Sequence, residues 1–325
     1  MKVLIPDVLS PPANIEKKIF GTKAEIIISQ ANNSSEIQDN IWNSVNAVLA
    51  FDKIKFDKNL LDKMNLCKVI VRVGVGFDNV DLDYAKIKKI TVCNVPDYGV
   101  DEVADHAIGF LLMLSRGMKE YVNNVEKRNW TRENDMPIRL KGKNIGIIGL
   151  GRIGTAVARR AKVLGLHVIF YDPYIKEGFD KSYGFQKVSS LKELSLKSDF
   201  VSIHTPINKE TFHLINDSFF SNLKKGSFII NTARGDLIDI NSLEKFMKND
   251  VVKGAALDVL PLEPNTDNQK LIVALEKSEP WIKNRIIVTP HVAFYSPESF
   301  IEMREKASKE ALRVLQNMKP LNPVN

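Results

Sequence analysis

The sequence predicts an α/β protein with two doubly wound parallel-sheet domains. Short apolar runs alternate with helix-length amphipathic stretches along the whole chain, which is typical of parallel sheets covered by helices on both faces. The chain has 325 residues, enough for two domains that each bury their own core. A glycine-rich turn between a buried strand and a helix assigns one of the two domains to a narrower class, as described below.

The composition argues against several classes of protein. With 44% hydrophobic and 26% charged residues, the chain has the composition of an ordinary globular protein. Its net charge of +7 is dispersed rather than clustered among aromatic residues, so no nucleic-acid partner is expected. No apolar run approaches the roughly 18 residues of a membrane span. Neither a disulfide framework nor a metal site is predicted from Cys67 and Cys93, and the expected location is cytoplasmic.

Five apolar runs predict the sheet of the first domain. They lie at residues 2–5, 24–28, 47–50, 69–71 and 91–94. Pro96 then ends strand pairing, and apolar residues at helical spacing predict one long helix over residues 100–121 that links the domains.

A second series of six strands is predicted further along the chain. These strands lie at residues 144–148, 167–171, 200–204, 227–231, 254–257 and 286–289. The last helix, predicted over residues 297–318, is expected to return to the first domain. The predicted domains are therefore residues 1–99 with 296–325, and residues 100–295.

A glycine motif follows the first strand of the second series. Gly149, Gly151 and Gly154 form the pattern G-x-G-x-x-G before a helix predicted over residues 155–164. The three glycines permit a tight turn, close approach of the backbone to a pyrophosphate, and close packing of the helix on the strand. The amides at the start of that helix attract phosphates.

This motif, with six strands, predicts a Rossmann dinucleotide-binding domain in residues 100–295. The other residues are then expected to form a smaller, flavodoxin-like substrate domain. Arg152 and Ile153 lie between the last two glycines, so they are also predicted to contact the cofactor.

Asp172 ends the next predicted strand, 23 residues after Gly149 (172 − 149). This is close to the spacing of about 20 residues expected for an acid that binds the adenosine ribose. A carboxylate there accepts hydrogen bonds from the ribose hydroxyls and repels a 2′-phosphate, and no arginine follows it. The sequence therefore predicts NAD rather than NADP, the alternative being a surface acid that begins a turn.

Polar side chains follow the last three predicted strands. Arg234, Glu263 and His291 are expected to converge, because ligands of open parallel sheets bind beyond the carboxyl ends of the strands. A carboxylate hydrogen-bonded to an imidazole favours the imidazolium form, which keeps a proton available near neutral pH. Each residue alone could be an ordinary surface or loop residue, but the joint pattern is far less probable by chance.

Seven segments, taken in order, make the chain resemble the D-isomer-specific 2-hydroxyacid dehydrogenases over nearly its whole length. They are RVGVGFDN (72–79), NVP (94–96), GLGRIG (149–154), HTP (204–206), NTARGD (231–236), ALDVLPLE (256–263) and TPH (289–291). The resemblance implies that Arg234 binds the substrate carboxylate and polarises its carbonyl, that His291 is the catalytic acid and base, and that Glu263 is its partner. Formate dehydrogenases, a related branch, carry glutamine in place of Glu263, which argues against that activity.

The resemblance also implies which residues line the two ligands. Val75 and Gly76 match a loop whose backbone amides hold the substrate carboxylate, while Tyr98 and Phe294 match the substrate pocket. Asp258 matches the acid that binds the nicotinamide carboxamide. The other implied cofactor contacts are Thr205, Pro206, Thr232, Ala233, Arg234 and His291. No catalytic role is predicted for His106, His167, His204 or His213, and the first two are interpreted as structural.

The predicted function is the NAD-dependent interconversion of a small 2-oxoacid and a D-2-hydroxyacid in a cleft between the two domains. The motifs are most similar to the C-terminal-binding-protein and phosphoglycerate dehydrogenase branches, and an unphosphorylated acid is favoured. The alternatives are a 3-phosphoglycerate dehydrogenase, a glyoxylate/hydroxypyruvate reductase, and an NAD(H)-sensing scaffold similar to a corepressor. The helix from Val100 resembles the two-fold interface of the family, which implies a homodimer.

Overall fold

The computed structural model describes residues 1–263 and 269–325, which form two compact units. Unit 1 comprises Met1–Gly99 with Tyr295–Asn325, and unit 2 comprises Val100–Phe294. Each unit holds one parallel sheet with helices around it, so the predicted α/β class is confirmed. Within the described ranges, no helix combines the length and apolar character needed to cross a membrane.

Unit 1 contains a five-stranded parallel sheet with the order β2-β1-β3-β4-β5. Its strands are β1 (Lys2–Ile5), β2 (Glu25–Ile28), β3 (Ala47–Ala50), β4 (Val69–Arg72) and β5 (Thr91–Cys93). Every residue of the central strand β3 is buried, as expected for a parallel strand covered on both faces. The predicted runs match these strands to within one residue at each end.

Five helices belong to unit 1, and aspartates begin two of them. The helices are α1 (Asn14–Phe20), α2 (Asp39–Ser44), α3 (Lys58–Lys63), α4 (Leu82–Ile87) and α13 (Pro297–Leu315). Asp57 and Asp81 each accept a hydrogen bond from a first-turn amide, of α3 and α4 respectively. These acids satisfy amides that have no partner inside the helix.

The last helix, α13, packs against α1, β3 and β4 in unit 1. It begins at a capping box formed by Ser296 and Ser299, and it ends at Leu315, three residues before the predicted end. The buried Glu16 of α1 receives two hydrogen bonds from Arg304 of α13, at 2.8 and 2.7 Å. This two-point ion pair joins the ends of the chain into one unit.

Unit 2 contains a seven-stranded parallel sheet with the order β12-β11-β10-β9-β6-β7-β8. Its strands are β6 (Asn144–Ile148), β7 (His167–Tyr171), β8 (Gln186–Lys187), β9 (Phe200–Ile203), β10 (Ser227–Asn231), β11 (Val252–Leu257) and β12 (Ile286–Val288). The predicted count of six strands is therefore wrong by one. The extra strand, β8, has two residues and lies at the edge, so no apolar run marks it.

The helices of unit 2 include a correction to the predicted linking helix. They are α5 (Val100–Arg116), α6 (Met118–Glu126), α7 (Arg152–Val163), α8 (Phe179–Tyr183), α9 (Leu191–Lys197), α10 (Asp217–Phe220), α11 (Ile240–Lys248) and α12 (Lys270–Glu276). The single helix predicted over residues 100–121 is wrong, because Gly117 adopts φ 59° and separates α5 from α6. Glycine adopts this left-handed conformation at little cost, which explains why the helix breaks at this residue.

Candidate active site

The glycine turn joins β6 to α7 at the carboxyl edge of the seven-stranded sheet. Gly149 has φ 86°, and a Cβ there would lie 2.8 Å from the carbonyl oxygen of His204. At Gly154 a Cβ would lie 2.0 Å from the carbonyl oxygen of Gly149. The protein itself therefore requires glycine at both positions, for backbone conformation at the first and for packing at both.

Gly151 differs from the other two glycines, because a Cβ there would meet nothing within 4 Å and its φ is −72°. The fold thus leaves open space at the one glycine that it does not itself require. Gly151 is also the N-cap of α7, and no side chain caps this end. Helix α7 begins at Arg152 rather than at the predicted residue 155. Open space next to uncapped amides fits the pyrophosphate of a dinucleotide.

Asp172 follows the last residue of β7 and is oriented toward the glycine turn. Its Oδ2 accepts a hydrogen bond from Leu150 N at 2.9 Å, and its Oδ1 accepts one from Tyr174 N at 2.9 Å. The carboxylate is therefore held beside the turn that would bind the pyrophosphate, as an acid that binds the adjacent ribose requires.

Arg234, Glu263 and His291 follow β10, β11 and β12, which are adjacent strands in the sheet. His291 Nδ1 lies 2.7 Å from Glu263 Oε2, and the other carboxylate oxygen accepts a hydrogen bond from Leu260 N. The His291 and Glu263 side chains retain 35% and 27% of their exposure, so a ligand can reach them. No group in the described part of the chain hydrogen-bonds Nε2 of His291, which leaves this nitrogen available to a substrate.

The turn that carries Arg234 is held by Asn231 at the end of β10. The Asn231 side chain donates to the carbonyl of Arg234 at 2.8 Å and accepts from Ala233 N at 2.9 Å. The next residue, Gly235, packs against the turn after β11, where a Cβ would lie 2.0 Å from the carbonyl carbon of Leu260. The backbone N–H of Leu260 also donates a hydrogen bond to Glu263. The turn that carries Arg234 is therefore packed against the turn that carries Glu263.

Asp258 is 1% exposed, and its carboxylate holds the turn that leads to His291. Oδ1 accepts hydrogen bonds from Thr289 Oγ1 at 2.5 Å and Val292 N at 2.9 Å, and Oδ2 accepts from Ala293 N at 2.8 Å. Most of its acceptor positions are therefore used within the protein. The contact with the nicotinamide that the sequence implied stays a prediction, and Oδ2 has a lone pair left for it.

His106 lies next to Thr289 and Asp258, a position that the sequence analysis did not predict. Its Nε2 is 3.1 Å from Thr289 Oγ1 and 3.8 Å from Asp258 Oδ1, so it is part of the network around the histidine turn. The sequence placed His106 only on an amphipathic helix. The available signal was Thr289, the hydroxyl-bearing residue that begins the TPH segment, but no local pattern connects it to a residue 183 positions away.

The remaining predicted cofactor residues follow β9 and β10, which are neighbours in the sheet. Thr205 and Pro206 come after β9, and Thr232 and Ala233 come after β10. The hydroxyl oxygen of Thr232 is buried and has no hydrogen-bond partner within residues 1–263 and 269–325. A buried polar atom without a partner is costly, so this hydroxyl fits a site completed by a ligand.

His204 does not share the setting of His291. Its Nε2 lies 2.8 Å from the hydroxyl of the buried Ser202, and desolvation lowers the pKa of His204 to about 3. The ring is therefore neutral at physiological pH, which agrees with the absence of a predicted catalytic role.

Of the five predicted substrate residues, three lie in unit 1, whereas Arg234 and Phe294 lie in unit 2. Val75 and Gly76 follow β4, and Tyr98 follows β5; the two loops are joined by a 2.7 Å hydrogen bond from Asn94 Nδ2 to the carbonyl of Val75. The ring of Tyr98 is buried. Phe294 belongs to unit 2, where its ring lies edge-on to His291 with the centroids 6.3 Å apart. No cluster of three or more potential metal ligands occurs among the described residues.

Curated proteins and a family model match this chain. The model described as "D-isomer specific 2-hydroxyacid dehydrogenase, NAD binding domain" matches residues 108–293. C-terminal-binding protein 1 of Caenorhabditis elegans is 34% identical over 317 residues, which cover 94% of this chain and 42% of the relative. D-3-phosphoglycerate dehydrogenase of Methanocaldococcus jannaschii is 32% identical over 325 residues, which cover 100% of this chain and 59% of the relative. The chain thus spans about half the length of these two relatives.

Solved structures match nearly the whole chain. D-lactate dehydrogenase from Aquifex aeolicus, complexed with NAD and lactic acid, has 30% identity and a TM-score of 0.88, with 97% of this chain and 96% of that one covered. An NADPH-dependent glyoxylate/hydroxypyruvate reductase from Sinorhizobium meliloti has 26% identity and a TM-score of 0.86, with 99% and 96% covered. The predicted cofactor, NAD, is confirmed by the family model, which is that of an NAD-binding domain. The match over more than half of its residues shows that the chain belongs to the D-isomer specific 2-hydroxyacid dehydrogenase family.

Proposed function

We propose that the chain is an NAD-dependent oxidoreductase that interconverts a small 2-oxoacid and its D-2-hydroxyacid. The observation that carries this proposal is the hydrogen bond of 2.7 Å between His291 Nδ1 and Glu263 Oε2, next to the turn that bears Arg234. NADH, when bound, would supply a hydride to the carbonyl carbon, and reduction of the 2-oxoacid consumes one proton. The protein must therefore bind a carboxylate, polarise a carbonyl and deliver that proton.

His291 is the proton donor in reduction and the acceptor in oxidation. Glu263 holds Nδ1, which leaves Nε2 as the nitrogen that delivers the proton to the carbonyl oxygen. The same contact fixes the orientation of the ring that carries the transferred proton. The guanidinium of Arg234 binds the substrate carboxylate with a planar pair of donors and places the carbonyl next to the imidazole.

Unit 2 is proposed as the NAD-binding domain and unit 1 as the substrate domain, with Val75, Gly76 and Tyr98 as its substrate contacts. The open space at Gly151 and the uncapped amides of α7 support binding of the pyrophosphate there, near Arg152 and Ile153. The other proposed cofactor contacts are Gly149, Gly154, Asp172, Thr205, Pro206, Thr232, Ala233, Arg234, Asp258 and His291.

The proposed substrate is an unphosphorylated 2-oxoacid. Phe294 supports this choice, because its ring lies beside His291 and offers an apolar surface to a substrate side chain. Relatives bear names that point to several acids, including lactate, glyoxylate, hydroxypyruvate and 3-phosphoglycerate. An experiment must therefore identify which 2-oxoacid the protein reduces.

The test is a screen of NADH oxidation with pyruvate, glyoxylate, hydroxypyruvate, 4-methyl-2-oxopentanoate and 3-phosphohydroxypyruvate. We expect turnover with at least one unphosphorylated acid and, where the product is chiral, formation of the D isomer. Turnover with 3-phosphohydroxypyruvate alone would favour a phosphoglycerate dehydrogenase. No turnover with any acid, despite binding of NADH, would contradict the proposal. It would favour the NAD(H)-sensing scaffold, which the 34% identity to C-terminal-binding protein 1 makes the second candidate.

We further propose a cytoplasmic homodimer. Helix α6 has no buried residue, and it exposes Met118, Val122 and Val125, while Trp130 beyond it is 90% exposed. A second copy of the chain would cover these apolar side chains. Sedimentation as a monomer at micromolar concentration would contradict the dimer.

The proposed cytoplasmic location is supported by the cysteines. Cys67 and Cys93 are free and buried, which is compatible with a reducing compartment.

A further inference from the structure

We infer that His106 is a positioning residue that acts through Thr289 and Asp258 on the turn carrying His291. The inference rests on the proposed role of His291 in proton transfer. It assigns a task to a histidine that the sequence left as structural, and it predicts which nitrogen of that ring carries a proton.

The backbone of His291 lies in the left-handed region, with φ 53°. Residues other than glycine adopt this conformation infrequently, although histidine is among the types enriched there, so hydrogen bonds that hold the turn stabilise it. Two backbone hydrogen bonds fix His291 N, to the carbonyl of Asp258 at 2.7 Å and to the carbonyl of Thr289 at 3.0 Å. The carboxylate of Asp258 fixes both sides of the turn, since it binds Thr289 before His291 and Val292 and Ala293 after it.

The Thr289 hydroxyl can donate only one hydrogen bond, and its distances to its two neighbours indicate which of them accepts it. Oγ1 lies 2.5 Å from Asp258 Oδ1, and an ionised carboxylate can only accept, so the hydroxyl donates to Asp258. The oxygen of the hydroxyl then acts as an acceptor toward His106 Nε2 at 3.1 Å. His106 must therefore carry a proton on Nε2. A ring protonated only on Nδ1 would place two acceptors against each other.

His106 is itself well placed to hold this network. It lies in the middle of α5, 23% of its side chain is exposed, and its ring meets Phe110 edge-on with the centroids 4.4 Å apart. Its Nε2 is 3.8 Å from Asp258 Oδ1, so the ring also limits how far Thr289 and the carboxylate can move toward the helix. The chain of contacts runs from α5 through Thr289 and Asp258 to His291.

Two pairs of variants separate hydrogen bonding from simple packing. His106→Gln retains an amide donor near the position of Nε2, whereas His106→Leu removes it; Thr289→Ser retains the hydroxyl, whereas Thr289→Val removes it. We expect His106→Leu and Thr289→Val each to lower kcat for 2-oxoacid reduction about tenfold, the rate equivalent of one hydrogen bond. His106→Gln and Thr289→Ser should stay within about threefold of the parent, and KM for NADH should hardly change.

The double variant His106→Leu/Thr289→Val should lose no more than Thr289→Val alone, because removing the hydroxyl already breaks the contact between His106 and the turn. Thermal unfolding of all variants is the control. A purely structural role would lower Tm in His106→Leu without the selective loss of kcat and without rescue by glutamine. Parent-like kcat in His106→Leu, or equal losses in His106→Leu and His106→Gln, would overturn the inference.

A second readout does not depend on turnover. Ring ¹⁵N shifts and ¹H–¹⁵N correlations of histidine-labelled protein should show a proton on Nε2 of His106, with slow exchange that is lost in Thr289→Val. A neutral ring with its proton on Nδ1 would overturn the inference. His291→Asn separates the two proposals: if that variant keeps its turnover, the proposed function fails, whereas a dead His291→Asn with an active His106→Leu rejects only the role of His106.

Discussion

Two turns at the carboxyl edge of the seven-stranded sheet each contain a residue with positive φ, and each accommodates it in a different way. In the turn from Gly149 to Gly154, which is the proposed pyrophosphate site and is called the phosphate turn below, Gly149 has φ 86°, and the residue has no Cβ to oppose it. In the histidine turn His291 has φ 53°, and the buried Asp258 holds the surrounding backbone in place. The comparison teaches that glycine serves at a positive φ where neighbouring backbone leaves no room for a Cβ, as the His204 carbonyl does at Gly149. Where the chemistry needs a side chain, hydrogen bonds to a buried carboxylate hold the turn instead.

The largest effect on kcat should come from replacing His291, the side chain that the turn after β12 carries. We expect His291→Asn to lower kcat about 10³-fold, because general acid–base catalysis typically contributes between 10² and 10⁴. Asparagine tolerates the left-handed conformation, so the turn and NADH binding should survive. Stopped-flow reduction and NADH fluorescence titration measure the two properties. Turnover near that of the parent would remove His291 from the mechanism.

The phosphate turn is best tested with two matched glycines. Gly154→Ala should lower the free energy of unfolding by about 3 kcal/mol, because its Cβ would lie 2.0 Å from the Gly149 carbonyl oxygen. Gly151→Ala should fold like the parent yet weaken NADH binding at least tenfold, because its Cβ would fill the open space that the pyrophosphate needs. Urea unfolding and NADH titration distinguish the two. Normal NADH affinity in Gly151→Ala would place the pyrophosphate elsewhere.

Glu263→Gln tests the carboxylate that holds the His291 ring. An amide oxygen can still accept a hydrogen bond from Nδ1 but brings no charge to the ring, so kcat for reduction should fall between about 10- and 100-fold. Steady-state kinetics measure the loss, and NADH titration is the control, since binding of the dinucleotide should hardly change. A kcat near that of the parent would indicate that Glu263 acts only by orienting the ring.

The depressed pKa of His204, whose carbonyl packs on Gly149, predicts that the free energy of unfolding decreases in acid. Desolvation lowers the pKa of His204 from 6.5 to about 3, so below pH 6.5 the unfolded chain binds a proton that the folded chain does not. The free energy of unfolding should therefore fall as the pH drops from 6.5 toward 3, by about 2 kcal/mol at pH 5. In His204→Gln this part of the pH dependence should be missing from urea unfolding curves. An unchanged slope would contradict the assignment.

The smallest effect concerns the choice between the two dinucleotides. Asp172→Ala removes the charge that repels a 2′-phosphate, so the ratio of kcat/KM for NADH over NADPH should fall about tenfold, the equivalent of about 1.4 kcal/mol. The variant also loses the hydrogen bond from Leu150 N, so some loss with NADH is expected. Asp172→Asn is the control, because it keeps an acceptor without the charge. An unchanged ratio in both would show that this residue does not read the ribose.

Sequence reasoning succeeded where the determining interactions are local. The strands of both sheets were predicted from apolar runs, and the turn from Gly149 to Gly154 from a pattern of six residues. It failed at Gly117, since an isolated glycine in an apolar helical pattern gives no sign that its backbone will turn left-handed. It also failed at β8, whose two residues follow an edge that only the completed sheet creates.

The sequence by itself determined the α/β class, the phosphate turn, and the presence of an arginine, a carboxylate and an imidazole after the last three strands of unit 2, because periodicity and turn chemistry depend on near neighbours. Only the tertiary structure decided that β10, β11 and β12 are adjacent, that Glu263 meets Nδ1 of His291, and that His106 reaches Thr289 across 183 positions. Such contacts arise when strand order and helix packing bring distant segments together, and no local pattern specifies that arrangement.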